Sequence, residues 1–190
     1  MRFMSELLAG KTAIILGVAN KWSIAFAIAE AYRREGVRLI LTFQGERQRA
    51  TVEDLGKELG AAMVLNCDVT KPEELASLVA SLAGERVDVV VHSIAFANRE
   101  DLSRPFVETS RDGYLLALEV SSYSLVSVSN ALAPLMMEGG SIMTLTYLGS
   151  ERVIPNYNVM GVAKAALEAC VRYLASDLGC LLYTSDAADE

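Results

Sequence analysis

The chain has 190 residues, with 24 acidic and 17 basic side chains and a net charge of −7. This length fits one domain with a sizeable core, and the 52% hydrophobic content excludes a disordered chain. The acidic balance argues against nucleic-acid binding, because no block of Lys and Arg offsets it. One histidine and three cysteines without ligand spacing argue against a metal site, so we expect no metal and reduced thiols.

We expect a cytoplasmic protein that contacts no membrane. The first ten residues lack the apolar core of a secretion signal. The longest apolar stretch, residues 115–137, is interrupted by Glu119, Asn130, Pro134 and several serines. It is therefore predicted to be a buried helix rather than a membrane span.

Short apolar runs alternate with helical patterns along the chain. Strands are predicted at 12–17, 37–43, 62–67, 87–93 and 141–147. Helices are predicted at 23–34, 46–59, 72–82, 111–137 and from 157 onward, with an irregular loop at 98–112. The apolar face of the first helix is predicted to contain Ile24, Ala27, Ile28 and Ala31. Continuous apolar strands separated by helices predict an α/β fold, a doubly wound, Rossmann-like parallel sheet that binds ligands at its C-terminal strand ends.

Tyr147, Tyr157 and Lys164 are the candidate catalytic residues. Tyr147 ends the fifth predicted strand, and Tyr157 opens the predicted helix that contains Lys164. Seven residues at about 100° each fall about 20° short of two turns, which puts Tyr157 and Lys164 on one helix face, ~10.5 Å apart along the axis. A phenol and an ammonium near a strand end suit a site that polarises or protonates an oxygen. Taken alone, such a pair is more often a core tyrosine and a solvated lysine, so the functional interpretation depends on the other motifs.

Candidate cofactor-binding residues follow the first two predicted strands. Gly17 ends the first strand and Ser23 opens the next helix, whose free N–H groups and dipole attract phosphate. Ser23 suits either a helix cap or a phosphate donor. After the second strand, Gln44 can bind a ribose hydroxyl. Arg47 and Arg49 could attract a 2′-phosphate but fall inside the next helix, so we favour NADH over NADPH.

The third and fourth predicted strands are followed by further candidates. The Asp68 carboxylate can accept a hydrogen bond from an adenine amino group, with the Val69 backbone alongside, or it can cap the helix that begins near Pro72. Both interpretations stay open. His92, in an apolar strand, is predicted to be a hydrogen-bonded core residue. The backbone after it, residues 93–97, is expected beside the nicotinamide ribose.

With these residues placed together, the chain resembles the enoyl-acyl-carrier-protein reductases of bacterial fatty-acid synthesis, within the short-chain dehydrogenase/reductase superfamily. The matching segments are residues 17–24, 67–69, 92–97, 121–124, 144–149 and, most specifically, 155–164. The wider superfamily has tyrosine four residues before its lysine, and that position here is Met160. The seven-residue spacing of Tyr157 and Lys164 therefore argues against a ketoreductase.

The resemblance implies hydride delivery from NADH to C3 of a trans-2-enoyl thioester carried by acyl carrier protein. In this scheme Tyr157 donates to the thioester oxygen, Lys164 binds the nicotinamide ribose, and Tyr147 lines the pocket and assists. The implied cofactor contacts are Gly17, Ser23 and Ile24 at the pyrophosphate and nearby ribose, Gln44 at the cofactor-selecting position, Asp68 and Val69 at adenine, and Ile94 near nicotinamide. Ala97 would touch the acyl substrate. A homotetramer with helix 111–137 and the Tyr157 helix at an interface is also implied.

The resemblance further implies another strand and a substrate-covering segment after the Tyr157 helix, so we predict a sheet that is incomplete at its C-terminal edge. Residues 1–179 are assigned to a partial dinucleotide-binding reductase domain. Residues 180–190 continue neither a helix nor a strand and resemble a translated sequencing adapter, which predicts a non-native tail. Two alternatives stay open: a carbonyl reductase of the same superfamily, and a fragment that binds nucleotide without catalysis.

Overall fold

The computed structural model describes residues 7–136 and 138–179. Its centre is a five-stranded parallel sheet with the order β3-β2-β1-β4-β5. The strands are β1 (Thr12–Leu16), β2 (Arg38–Phe43), β3 (Met63–Asn66), β4 (Val89–His92) and β5 (Ser141–Thr144). Within the described residues, β5 is an edge strand that pairs with β4. The predicted doubly wound parallel sheet is confirmed.

Helices connect the strands and cover both faces of the sheet. They are α1 (Ile24–Arg34), α2 (Glu46–Leu59), α3 (Pro72–Ser81), α4 (Arg99–Ser103), α5 (Arg111–Leu118), α6 (Ser124–Leu132) and α7 (Val159–Leu178). The bounds of α2 are those predicted, because Gly60 adopts a left-handed conformation directly after the helix and ends it. Pro72 occupies the first turn of α3, where its missing N–H costs no helical hydrogen bond.

Successive residues of each strand point to opposite faces of the sheet and contribute to two hydrophobic clusters, one on each face. Ile15 and Leu41 belong to the cluster that α1 and α2 cover, whereas Ile14 and Ile40 belong to the cluster that α3 and α6 cover. All four side chains are fully buried, as expected for a sheet with helices on both faces. This two-sided burial leaves the strand ends as the accessible parts of the sheet.

The apolar face predicted for α1 is wrong. Ile24 is 64% exposed, whereas the buried residues of α1 are Ala25, Phe26 and Ala29. Small alanines and one phenylalanine let α1 lie close to β1 and β2, and Ile28 and Tyr32 pack at the margin of the cluster. The prediction placed Ile24 and Ile28 on the buried face because they are large and aliphatic, whereas close packing of α1 on the sheet buries smaller residues.

The helix predicted at 111–137 is interrupted. A π-helical turn at Glu119–Tyr123 separates α5 from α6, and a short 3₁₀ turn at Ala133–Leu135 follows. The stretch Arg111–Leu135 has the length and composition of a membrane-crossing helix. In the structure, Val128 and Leu132 of α6 are fully buried against the sheet, so the prediction of a buried helix is confirmed for α6.

Three predicted boundaries also differ from the structure. The segment predicted as an irregular loop at 98–112 contains α4 and a 3₁₀ turn at Phe106–Glu108. The fifth strand ends at Thr144, so Tyr147 lies beyond it. The last helix begins at Val159, so Tyr157 lies in the preceding turn. The tail predicted at 180–190 lies outside the described residues.

Candidate active site

The sequence-predicted site residues lie along one edge of the sheet. Because all five strands are parallel, their C-terminal ends share that edge. Asp68 and Val69 follow β3, Gln44 follows β2 and Gly17 follows β1. Ile94 and Ala97 follow β4, and Tyr147 follows β5. Across four inter-strand spacings of roughly 4.8 Å, this row extends over about 19 Å.

Gly17 lies where the chain order reverses between β1 and β4. Its φ of +97° is a conformation that residues with a Cβ rarely adopt. A Cβ there would lie far inside 3.0 Å of the Ser93 carbonyl oxygen, and real Cβ atoms essentially never come that close. The Ser93 N–H continues the strand pairing by donating to the Leu16 carbonyl at 3.1 Å. Glycine is therefore required for the two backbones to meet at the topological switch point, where such sheets bind ligands.

Ser23 caps α1. Its Oγ accepts from the Phe26 N–H at 3.3 Å and donates to the Asn20 carbonyl at 2.7 Å. Of the two interpretations left open by the sequence, the structure shows the helix cap. The following Ile24 is largely exposed beside the β1–α1 turn. The first turn of α1, where helical N–H groups lack partners within the helix, therefore follows Gly17 closely in the chain.

Gln44 and Asp68 lie on adjacent strand ends and share a hydrogen bond. The Asp68 carboxylate also accepts from the Thr70 N–H at 3.0 Å and the Thr70 hydroxyl at 2.7 Å. Burial acts to raise the pKa of Asp68, but the hydrogen bonds from Gln44 and Thr70 outweigh it and hold the pKa below its ordinary value. Lys71, not Asp68, is the N-cap of α3. The ionised Asp68 carboxylate, at the β3 end of the sheet, is suited to accept a hydrogen bond from an amino group of a ligand.

Arg47 and Arg49 both lie in α2, as predicted. Arg49 pairs with Glu46 at 2.6 Å and lies over the Phe43 ring, with its guanidinium carbon 5.4 Å from the ring centroid. Arg47 is exposed on the helix surface. The residue directly at the β2 end is thus the neutral Gln44.

Tyr157 lies in a turn and not in the helix that contains Lys164, so the predicted helix-face geometry is wrong. Its N–H donates to the Ile154 carbonyl at 3.1 Å, and its own carbonyl accepts from the Met160 N–H at 2.9 Å. The Tyr157 ring meets the Tyr147 ring edge-on, with centroids 4.8 Å apart. Burial, with a smaller contribution from Tyr147, raises the pKa of Tyr157, so the phenol remains a hydrogen-bond donor at neutral pH.

Two glycines make room for the Tyr157 ring, and the sequence analysis missed both roles. A Cβ on Gly149 would lie within 2.7 Å of Tyr157 Cε1, and a Cβ on Gly161 would lie 2.7 Å from the Gly149 carbonyl oxygen. Any side chain at either position would push apart the 3₁₀ turn at Leu148–Ser150 and the first turn of α7. The ring is therefore held between Tyr147 and bare backbone.

Lys164 is buried, with 5% exposure, and its Nζ donates to the Leu145 carbonyl at 2.6 Å. Leu145 lies two residues before Tyr147, so the ammonium and the tyrosine pair border the same segment after β5. Burial lowers the pKa of Lys164, and the nearby Glu168 carboxylate acts in the opposite direction. Within the described residues one of the three Nζ donors has a partner, which leaves donors for the hydroxyls of a bound ligand.

Met160 occupies the position at which the wider superfamily has its tyrosine. It is 6% exposed, and its sulfur lies 3.6 Å from the Ser121 hydroxyl, between α7 and the π-helical turn. A residue at this position therefore packs against a neighbouring helix. Tyr147 and Tyr157 instead lie beside the segment whose Leu145 carbonyl Lys164 contacts.

Backbone after β4 is held by the π-helical turn. Ser121 Oγ accepts from the Phe96 N–H at 2.9 Å and donates to the Phe96 carbonyl at 3.0 Å. These two bonds fix the segment between Ile94, which packs at the margin of the core, and the half-buried Ala97. Turns of this kind are often found at functional sites, and the serine-rich sequence at 121–124 gave no signal of the interruption.

His92 is a buried, hydrogen-bonded histidine, as predicted. Its Nε2 lies 2.8 Å from Ser124 Oγ and its Nδ1 lies 3.0 Å from Thr144 Oγ1. Ser124 Oγ also lies 2.6 Å from the Val120 carbonyl, and Thr144 Oγ1 lies 3.1 Å from the His92 carbonyl, so both hydroxyls contact backbone as well as the ring. Burial, and then the positive charge of Lys164, lowers the pKa of His92 to about 4. The imidazole is therefore neutral at physiological pH.

This histidine predicts a specific acid sensitivity. The folded-state pKa of about 4 lies below the ordinary value of 6.5, so the unfolded chain binds more protons between these values. The stabilisation from neutral His92 is complete above pH 6.5 and is lost as the pH falls toward 4. Lowering the pH from 7 to 5 should reduce the free energy of unfolding by about 2 kcal/mol, measured by urea denaturation.

The chain contains one histidine, so His92→Gln provides the control. This variant should lose much less stability over the same pH interval. An equal loss in the variant and the wild type would assign the pH dependence to other groups.

Glu168 supports the segment after β5, a role that the sequence analysis missed. Its carboxylate accepts from the Thr146 hydroxyl and, at 2.6 Å, from the Ser150 hydroxyl. Burial acts to raise the pKa of Glu168, but these hydroxyl groups together with Arg172 and Lys164 lower it. The four-residue spacing from Lys164 is a signal that could have drawn attention to this side chain.

The strand order and the residues that follow the C-terminal strand ends define a doubly wound, Rossmann-type α/β protein. Its candidate site lies at the switch point and beside the end of β5. A family model described as "Enoyl-(Acyl carrier protein) reductase" matches residues 17–180. The chain belongs to this family.

Similar curated proteins and solved structures are also enoyl-acyl-carrier-protein reductases by name. The chain is 52% identical over 178 residues to enoyl-[acyl-carrier-protein] reductase [NADH] of Bacillus cereus, covering 92% of this chain and 70% of that protein. It is 49% identical over 176 residues to the corresponding [NADPH] protein of Staphylococcus aureus, covering 90% and 69%. A crystal structure of the Anaplasma phagocytophilum reductase in complex with NAD superposes with a TM-score of 0.90 at 42% identity, covering 92% and 68%.

Proposed function

We propose that the protein reduces the C2=C3 double bond of trans-2-enoyl thioesters carried by acyl carrier protein, using NADH, in fatty-acid biosynthesis. The observation that carries the proposal is the grouping of the Tyr157 phenol and the buried Lys164 ammonium around one segment at the β5 end. Membership of the reductase family and the named activity of the relatives support it. The methionine at position 160, where carbonyl reductases have their tyrosine, further argues against that class.

The residues along the strand ends suit a dinucleotide. Asp68 and the Val69 backbone would hold adenine, and Gly17 with Ser23, Ile24 and the first turn of α1 would hold the pyrophosphate. Lys164 would bind ribose hydroxyls with its remaining donors, beside Ile94 near the nicotinamide. Bound NADH would supply the hydride that C3 of the substrate accepts, and the resulting enolate would take up a proton at C2 to complete the reduction.

Tyr157 would act on the substrate oxygen. As the double bond is reduced, negative charge collects on the thioester oxygen, and a donor aimed at that charge stabilises the transition state more than the ground state. The raised pKa of Tyr157 keeps its proton available for this hydrogen bond. Lys164 favours the same charge electrostatically, and Tyr147 buttresses the Tyr157 ring and lines the pocket with Ala97.

NADH is the favoured cofactor because the neutral Gln44 lies directly at the β2 end. A 2′-phosphate needs positive charge at this position. Arg49 is already paired with Glu46 and lies over Phe43, which supports NADH over NADPH. Titration with both nucleotides tests the assignment: tighter binding of NADPH would overturn it.

A homo-oligomer in the cytoplasm completes the proposal. Exposed apolar side chains lie on α5, the π-helical turn and α7, where the resemblance implies the interface: Leu115, Tyr123, Val171 and Tyr173. Both Cys67 and Cys170 are free thiols, which is compatible with a reducing compartment. Sedimentation analysis of the purified chain would measure the oligomeric state directly.

The substrate class is tested by comparing two thioesters. We expect NADH oxidation with crotonyl thioester and little or none with acetoacetyl thioester, followed at the absorbance of NADH. The reverse preference would indicate a carbonyl reductase. Binding of NADH, seen by fluorescence, without turnover of either thioester would leave only nucleotide binding.

A further inference from the structure

Asn158 has an unusual backbone conformation directly after Tyr157. Its φ is 40° and its ψ is −117°, in a region that glycine favours and residues with a Cβ rarely adopt. Nearby, Asn156 also has a positive φ, of 62°. Such a conformation persists only where the surrounding structure holds it in place, and it is often found at functional sites.

The Asn158 side chain supplies contacts that hold it. Its Nδ2 donates to the Arg104 carbonyl at 2.7 Å and to the Leu102 carbonyl at 3.1 Å, with the Asp101 carbonyl at 3.4 Å. These carbonyls belong to the end of α4, where helical carbonyls lack partners within the helix. An amide NH₂ has two hydrogens, so its donors are fully used by this one helix end.

α4 belongs to residues 97–110, the arm that follows β4. The buried Asp101 carboxylate in α4 accepts from the Ser110 N–H at 3.2 Å, and this bond ties the two ends of residues 101–110 together. Gly113 packs so closely on the Asp101 carboxylate that a Cβ there would overlap it. Asn158 is thus a link between this arm and the turn that contains Tyr157.

We propose that Asn158 is a positioning residue that fixes the Tyr157 ring by tying its turn to the end of α4. The inference rests on the proposed function only in taking Tyr157 as the hydrogen-bond donor. With the link intact, the Tyr157 turn and the arm that begins at Ala97 move as one unit. Without it, the turn loses this link to α4, while the ring keeps its contacts with Tyr147 and Gly149.

Two substitutions separate this role from a purely conformational one. Asn158→Asp keeps the shape of the side chain but removes both N–H donors and faces an anion toward carbonyl oxygens. Asn158→Gly removes the side chain but favours the observed backbone conformation. If only the conformation matters, the glycine variant should behave like the wild type.

The test combines two readouts that do not require turnover. Amide hydrogen exchange at residues 99–104 reports on α4, and the ¹⁹F resonance of Tyr157 in fluorotyrosine-labelled protein, assigned by its loss in Tyr157→Phe, reports on the ring. In both variants we expect exchange at 99–104 to be faster by roughly tenfold, because two hydrogen bonds are lost. We also expect the Tyr157 resonance to shift, while that of the exposed Tyr173 stays unchanged.

Wild-type exchange together with an unmoved Tyr157 resonance in both variants would overturn the proposal. Faster exchange with an unmoved resonance would also overturn it, because Asn158 would then serve α4 alone. Where the wild type turns over enoyl thioester, kcat should fall about tenfold in both variants with the Kd for NADH unchanged. A moved resonance in a protein without enoyl reduction would support the positioning role and refute the proposed function.

Discussion

Replacing Tyr157 with phenylalanine should lower kcat for enoyl thioester reduction roughly 100- to 1000-fold, the range seen when one donor to a developing oxyanion is removed. The Kd for NADH should remain close to that of the wild type, because the phenol acts on the substrate oxygen. The ring contacts with Tyr147 and Gly149 do not involve the hydroxyl, so stability should change little. Steady-state kinetics and NADH fluorescence titration measure the two effects separately.

Two variants serve as comparisons for this result. Tyr32→Phe makes the same chemical change near the C-terminal end of α1, outside the site and the implied interface, and should leave kcat unaltered. Lys164→Ala removes the ammonium that we place on the cofactor ribose and should weaken both NADH binding and turnover. If Tyr157→Phe changed turnover and NADH affinity by equal factors, the roles assigned to Tyr157 and Lys164 would be refuted.

Replacing Gly17 with alanine should destabilise the fold by roughly 2–6 kcal/mol, as the sum of backbone strain and overpacking. The φ of +97° disfavours any Cβ, and the added methyl group would overlap the Ser93 carbonyl oxygen. Because β1 and β4 pair at this point, the overlap would force the centre of the sheet apart. Urea denaturation measures the loss, and the remaining folded protein should bind NADH more weakly.

Gly60→Ala is the matched control for strain without overlap. Gly60 also has a positive φ, of 63°, but beyond its chain neighbours no atom of the described residues lies within 4 Å of the position of its missing Cβ. This variant should therefore lose only the conformational part, roughly 1–2 kcal/mol. An equal decrease in the free energy of unfolding in both variants would show that the close approach of residues 17 and 93 does not add to the cost of a Cβ at residue 17.

The fold was largely predictable because its signals are local and repeated. Apolar strand runs, the Gly60 stop and Pro72 in a first helical turn each act within a few residues and led to elements close to those observed. The π-helical turn at Glu119–Tyr123 was not predictable in this way. It depends on tertiary bonds from Ser121 to Phe96 and from Ser124 to His92, which no periodicity encodes.

The candidate site was predictable in its residues but not in its geometry. A seven-residue interval suggested one helix face for Tyr157 and Lys164, yet the asparagines at 156 and 158 place Tyr157 in a turn. Asparagine tolerates positive φ, so the Asn-Tyr-Asn sequence was a turn signal that the helical interpretation overlooked. The burial of Lys164 against the Leu145 carbonyl depends on the distant β5 end, and no local pattern predicts it.

Product analysis with deuterated cofactor tests the central claim most directly. The chain is incubated with crotonyl thioester and NADH that carries deuterium at both C4 positions, and the product is examined by mass spectrometry and NMR. Hydride delivery to the β-carbon predicts a butyryl thioester with one deuterium at C3. Recovery of unreduced crotonyl thioester, together with deuterated hydroxybutyryl product from acetoacetyl thioester, would contradict the assignment.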